Sequence, residues 1–290
     1  MSGPNSLDKV RDGNLHLWGK NTYTGDTRIW EGTLFLQNAG RLADSSNLIV
    51  ESGGRFYTQV PDAVWSISGS GDIHIDGGAL LAVGNYGNAG GTGTFTGLLS
   101  GSGVFSKRGT GTLTLGGGNT LSGDTLVEEG TINVTSSSGM SFRSALEISA
   151  GATLKTNVVT PVKSLNGSGT INLNDPVARL DIGDGQFPDT LPGDGIYSGQ
   201  INGAGSVRKM GNGTLNFTTA MNYTGSTTVE DGTLSLTENG RLSDASALNV
   251  YSGGTFHTTE ADAVYSLNGA GTVPIESPGA RIVGNLGNAG

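Results

Sequence analysis

The 290-residue chain has no cysteine, 8 prolines, 3 histidines and few charges, 16 Lys and Arg against 25 Asp and Glu. Without cysteine there is no disulfide scaffold, no thiolate zinc site and no cysteine nucleophile. The net charge of −9 comes without any basic run, so clustered phosphate contacts are absent and nucleic acid is excluded as a partner. Apolar runs last only a few residues, too short for a membrane helix. The opening Met-Ser-Gly-Pro-Asn-Ser has neither a charged n-region nor an apolar h-region, so no export signal is read there. Also missing are G-x-S-x-G, G-x-x-x-x-G-K-[ST] and H-E-x-x-H, and with them the usual nucleophile, phosphate and zinc motifs. No cofactor is expected.

What is abundant is glycine, 51 residues. It follows no G-X-Y period, which rules out collagen. An apolar content of 34% is too high for a disordered linker. The chain repeats itself instead. NTYTGDTRIWEGTLFL, starting at Asn21, returns as NYTGSTTVEDGTLSL from Asn222; Gly40-Arg41-Leu42 returns as Gly240-Arg241-Leu242 and Asp62-Ala63-Val64 as Asp262-Ala263-Val264. A more diverged copy, GTGTLTLGGGNTLSGDTLVEEGTINV, starts at Gly109. The copies are placed at 13–110, 111–212 and 213–290, with 1–12 as a tag remnant or partial coil. Copy 3 stops where copy 1 continues, so the chain is expected to be a segment of a longer array.

Within the copies, short alternating strands begin at Leu15, Leu34, Phe56, Ile73, Phe95, Leu113, Ile132, Leu154, Ile171, Tyr197, Leu215, Leu234, Phe256 and Val273. The steps centre on roughly 20 residues, and no helix-period stretch interrupts them. Such a strand buries one face and cannot be stable alone, so successive units must stack. Gly-x-Gly corners (Gly69/Gly71, Gly101/Gly103, Gly167/Gly169, Gly203/Gly205, Gly269/Gly271) supply the positive φ that sharp turns demand. The fold predicted is all-β: one continuous right-handed parallel β-helix of about 14 coils, roughly 65 Å long at the spacing of paired strands. A β-propeller, with blades of roughly 40 residues or more, fits the shorter period poorly.

The segments 109–134 and 211–236 share the pattern G-x-G-T-L-x-L, then N-x-x-x-G, then T-x-V-x-x-G-T-L, and a weaker version opens at Gly13. They resemble the passenger-associated transport repeat of bacterial autotransporters. The resemblance implies a secreted β-helical passenger displayed on a Gram-negative cell surface, with a C-terminal outer-membrane β-barrel in the full-length protein. The family includes adhesins, self-associating proteins, toxins and plain stalks, so it does not fix the activity.

Candidate sites come from position within the strands. The second residue of each strand points outward, and the series reads His16, Phe35, Tyr57, His74, Thr96, Thr114, Asn133, Lys155, Asn172, Ser198, Asn216, Ser235, His257, Pro274. Its first four members form an aromatic ridge that copies 2 and 3 mostly replace with small or polar residues. Trp18 and Trp30 add to this bias. Exposed aromatics clustered this way suit a binding surface, with flat rings for sugar faces or protein anchors; the alternative is a cross-strand ladder that only stabilises the sheet. Asp72, His74 and Asp76 share one face and raise a metal or acid–base option, and the aspartates of loop 174–195 (Asp175, Asp181, Asp184, Asp189, Asp194) raise a calcium option. Arg41 with Asp44 reads as a local ion pair. The function expected is non-enzymatic adhesion or self-association through side-chain ladders, with a host or bacterial surface glycan or protein, or a second passenger, as partner. An inert stalk carrying a separate effector and a β-helical polysaccharide-degrading enzyme are the alternatives.

Overall fold

A computed structural model of the chain describes residues 1–183, 194–259, 261–274 and 281–283. Every regular element among them is a β-strand. The chain divides into two compact units, 1–154 and 155–290. Each is a β-solenoid of stacked parallel coils, which excludes the propeller.

In the first unit each coil passes over three faces. Face A stacks Leu7–Lys9, 27–29, 47–50, Ser66–Gly69, Gly93–Phe95, Thr112–Leu115 and Thr131–Val134. Face B stacks Asn14–Leu17, 33–36, 55–58, Asp72–Ile75 and Leu98–Gly101. Face C stacks Asp62–Val64, Leu80–Val83, Val104–Lys107, Thr125–Val127 and Ala145–Ile148. Thr27–Leu36 and Asn47–Thr58 run unbroken from face A to face B, and their mutual register shifts between Ile29 and Glu31. Such a bulge bends a strand without ending it.

Alternation along each strand puts one side chain in two inside. On face B the inward column of Leu34, Phe56, Ile73 and Leu99 is almost wholly buried, each contributing about 1.5–3 kcal/mol. The second unit repeats the design. Val159–Val162, Arg179–Ile182 and Ser206–Lys209 stack on one face, and Gly195–Tyr197, Thr214–Phe217, 233–236 and 255–258 on another.

The expected Gly-x-Gly corners have a clear cause. The first glycine of each pair ends or directly follows a strand with positive φ, from 106° at Gly101 to 110° at Gly269. It also lies directly against the coil before it: a Cβ on Gly69 would meet the Val50 carbonyl oxygen at 2.0 Å, and one on Gly101 the Ile75 oxygen at 1.9 Å.

Another corner device escapes the sequence pattern. Lys107 is fully buried, and its Nζ donates to the carbonyl oxygens of Arg108 (2.9 Å), Gly109 (2.6 Å) and Glu129 (3.0 Å). Lys209 does the same to Met210, Gly211 and Asp231, and Lys9 to Val10, Arg11 and Glu31. An ammonium group has three donors, so each lysine satisfies three carbonyls that the turning chain takes out of the ladder. Burial pushes Lys107 and Lys209 down to about 8. Each of these lysines stands just ahead of the glycine turn that opens a copy.

Two expectations about stacking are corrected. Thr96 does not continue the column of His74: Asp72–Ile75 pairs with Leu98–Gly101, which puts Ser100 over His74, whereas Gly93–Phe95 lies on face A. The glycine-rich stretch 84–92 fills much of the 22-residue step from Ile73 to Phe95, so a spacing that resembles one coil ends on a different face. Likewise Leu113, the copy-2 counterpart of Leu15, stacks on Gly93 in face A rather than in Leu15's own column. The 98-residue offset between these leucines is not a whole number of coils, so the copied sequence reappears on face A instead of face B. Residues 1–12 supply working strands: Ser2–Gly3 pairs with Thr22–Tyr23 and Leu7–Lys9 with 27–29.

A substitution pair separates backbone strain from coil contact. Gly78 has a φ of 82° and nothing within 4 Å of the place a Cβ would take, whereas Gly69 has both positive φ and the Val50 carbonyl. Gly78→Ala should cost about 1–2 kcal/mol, the price of the left-handed conformation alone. Gly69→Ala should cost at least twice as much in thermal or denaturant unfolding. Equal losses would contradict the close coil contact.

Candidate functional site

The sequence-predicted aromatics come together on face B of the first unit. Register places His16 against Phe35, Phe35 against Tyr57 and Tyr57 against His74. Their ring centroids are 4.8, 5.0 and 4.8 Å apart, with interplanar angles of 10°, 45° and 10°. Rings lying side by side in one plane would clash at these separations, so they stand on edge as an offset stack. Ring edges therefore face solvent. The flat aromatic surface expected of the ridge is confined to other residues, since the ladder rings cover one another.

Trp18, 64% exposed, is the main such residue. It follows the first ladder strand, with its ring 6.4 Å from His16 and tilted by 51°. Trp30 is 44% exposed, with the Arg28 guanidinium 4.9 Å over its ring. It stands where the chain bends between faces A and B, outside the ladder.

Beside the aromatic column runs a polar rail that sequence reasoning missed. Two residues after each ladder position come Trp18, Gln37, Gln59 and Asp76, and the last three are linked. Tyr57 Oη donates to Asp76 Oδ2 at 2.6 Å and Gln59 Nε2 to the same oxygen at 3.2 Å. Gln37 Nε2 donates to Gln59 Oε1 at 3.0 Å, and Gln37 Oε1 lies 3.0 Å from His16 Nδ1. Ionised Asp76 can only accept, which sets the direction of the whole chain. Gln59 must donate to it, Gln37 to Gln59, and His16 Nδ1–H to Gln37. Each glutamine keeps one unused N–H.

The Tyr57 hydroxyl, the Gly77 N–H and the Gln59 amide hold Asp76 down to about 2. The bond to Asp76, with some burial, pushes the Tyr57 phenol up. Partial burial and the Arg55 charge push His74 down, and its Nδ1 lies 3.0 Å from Ser100 Oγ. Arg55 and Asp72 occupy the third outward column of this face, paired in register.

Three stretches of the chain, 12–34, 105–134 and 207–236, match the passenger-associated transport repeat. The Adhesin BmaC autotransporter of Brucella suis biovar 1 (strain 1330) is 33% identical over a 300-residue alignment covering 92% of this chain. The chain is autotransporter passenger sequence. It spans 8% of that relative's length. No solved structure matches it. Passenger sequence of this kind is surface-exposed and anchored at the outer membrane.

The passenger's other candidates resolve differently. Asp72, His74 and Asp76 share the outer side of one strand, but among the described residues no group of three or more His, Asp or Glu is placed to hold a metal ion. In loop 174–195, Asp184 and Asp189 lie outside the described residues. Asp181 is gripped by Arg179 and Arg208, with contacts of 2.5 and 2.9 Å, and Asp194 Oδ1 accepts the Thr214 N–H. Arg41 does not pair with Asp44; its guanidinium donates to the Gly40 carbonyl at 2.7 Å, and its charge acts on buried Asp62. In copy 3 the counterparts of the first three ladder residues are Asn216, Ser235 and His257, aligned in the same way without an aromatic stack.

Removing the Tyr57 hydroxyl tests the rail. In Tyr57→Phe the Asp76 carboxyl should titrate above about 2, toward its ordinary 3.8, read by NMR titration of the carboxyl carbon. Because the folded value is depressed, this group's stabilisation is full above 3.8 and fades as pH falls through about 2; the variant should narrow that window. An unchanged titration would break the rail.

Proposed function

We propose that this passenger is a non-enzymatic adhesive module whose contact surface is face B of copy 1, with His16, Phe35, Tyr57 and His74 as its spine and Trp18 and Trp30 at its margin. One observation carries the reading. Copies 1 and 3 use equivalent strands in equivalent registers, yet copy 1 covers its outward column with stacked rings and a linked polar rail where copy 3 places Asn216 and Ser235. The inward residues match between the copies, so folding needs no such difference outside. Clustered aromatics at a surface concentrate binding energy. The relative named an adhesin supports the same class. Weak contacts repeated by many displayed copies would add avidity, and a cell-surface glycan or protein, or a second passenger, are the partners considered.

Beads coated with the wild-type chain should adhere to cultured epithelial cells. Beads coated with a His16→Asn, Phe35→Ser, Tyr57→Thr, His74→Thr variant should lose adhesion by about tenfold or more, as removal of a dominant contact cluster does. Circular dichroism and melting establish that the variant is folded. Adhesion retained by a folded variant would refute this face. If neither protein adheres to any cell type, the segment is a stalk.

A further inference from the structure

The chemistry of face B selects among partners. Its outward columns carry Arg55 against Asp72 and Asp76, with Lys20 and Arg41 paired at the corner beyond Trp18 and Gln37, and this mixed charge offers sulfated or carboxylated polymers no continuous basic track. Its aromatic spine offers edges rather than an apolar plane, which makes it a poor seat for a protein's hydrophobic anchor. What it does offer is a nearly free indole at Trp18, followed along the coil axis by the spare amide N–H groups of Gln37 and Gln59. One flat ring with fixed, neutral hydrogen-bonding groups is what a sugar needs: its C–H face stacks on the ring and its hydroxyls meet the amides. The rail's internal bonds hold the amides in place before any ligand arrives, which lowers the ordering cost of binding.

Spacing adds an independent constraint. Trp18, Gln37, Gln59 and Asp76 stand on successive coils, about 4.8 Å apart, close to the length of one pyranose unit in an extended chain. We propose that face B binds a neutral, extended glycan running along the coil axis, one sugar per coil, with Trp18 stacking on the terminal sugar and Gln37 and Gln59 bonding the next two. This rests on face B being the adhesive face. The copy-3 counterparts Thr218, Thr237 and Thr259 lack both the ring and the amides, so copy 3 does not repeat the site.

The test is titration calorimetry of the whole chain against neutral di-, tri- and tetrasaccharides of β-1,4-glucan, β-1,4-chitin and β-1,4-mannan, with a heparin tetrasaccharide as the anionic comparator. At least one neutral series should bind, with affinity rising from two sugars to four. Trp18→Ala and Gln37→Ala/Gln59→Ala should each weaken it by about tenfold or more. These side chains lie outside the apolar core, so the variants should remain folded by circular dichroism, and Thr237→Ala should have no effect. Heparin binding as tight as the best neutral glycan would overturn the proposal. So would neutral binding that ignores Trp18 and the glutamines, or the absence of binding by all three neutral series. If neutral glycans fail while the ladder variant still loses bead adhesion, the glycan assignment falls and the adhesive face stands. If adhesion also survives in that variant, both fall.

Discussion

Backbone hydrogen bonding between parallel coils governs the rest of this protein. A strand of four residues cannot satisfy its own N–H and C=O groups, so each must find them on the coil before or after it. Pairing at about 4.8 Å leaves no room for a side chain where the chain turns across its neighbour. That is why glycine stands at Gly69 and Gly101, against the carbonyls of Val50 and Ile75. It also leaves carbonyls at the turns without partners, and the buried ammonium groups of Lys9, Lys107 and Lys209 take them up. An unsatisfied buried polar group costs roughly 1–3 kcal/mol, and each lysine removes three such costs at its turn. The outward side chains answer to none of these demands and are free to differ.

That freedom is what copies 1 and 3 display. Their inward positions remain apolar, with Leu34 and Leu234 both fully buried. Outside, Phe35 and Ser235 occupy the same place in the same register. Parallel stacking then amplifies small choices. A ring placed once per coil becomes a continuous stack, and a glutamine placed once per coil becomes a hydrogen-bonded rail whose direction is set by a single carboxylate, Asp76.

Much of this is legible in the sequence because strand alternation and coil length are local. The period of two residues identifies Leu15, Leu34, Phe56 and Ile73 as inward and His16, Phe35, Tyr57 and His74 as outward, and steps of 19, 22 and 17 residues place them in one column. Legibility ends where a loop of unusual length intervenes. Counting residues cannot show that the long stretch before Phe95 leaves the chain still on face A, short of face B, so Thr96 is assigned a place that Ser100 holds. Ring orientation is hidden too, since a column of aromatics reads alike whether faces or edges point outward. Gln37 and Gln59 resemble ordinary surface amides; their signal is the constant two-residue offset from the ladder. The staple lysines are hidden because lysine reads as solvated charge, although each recurs just before a copy's first glycine turn.

The register of face B is the point on which the column, the rail and the candidate ligand site all depend. The chain has no cysteine of its own, and adjacent in-register strands bring Cα atoms within the range a disulfide spans, roughly 4.4–6.8 Å. Two double variants under mild oxidation decide it, His74→Cys with Ser100→Cys and His74→Cys with Thr96→Cys, read as intramolecular cross-link by non-reducing electrophoresis and mass spectrometry. Pairing of His74 with Ser100 predicts efficient closure in the first and little in the second. Closure in the second and none in the first would restore the column expected from residue counting and contradict the coil register described above.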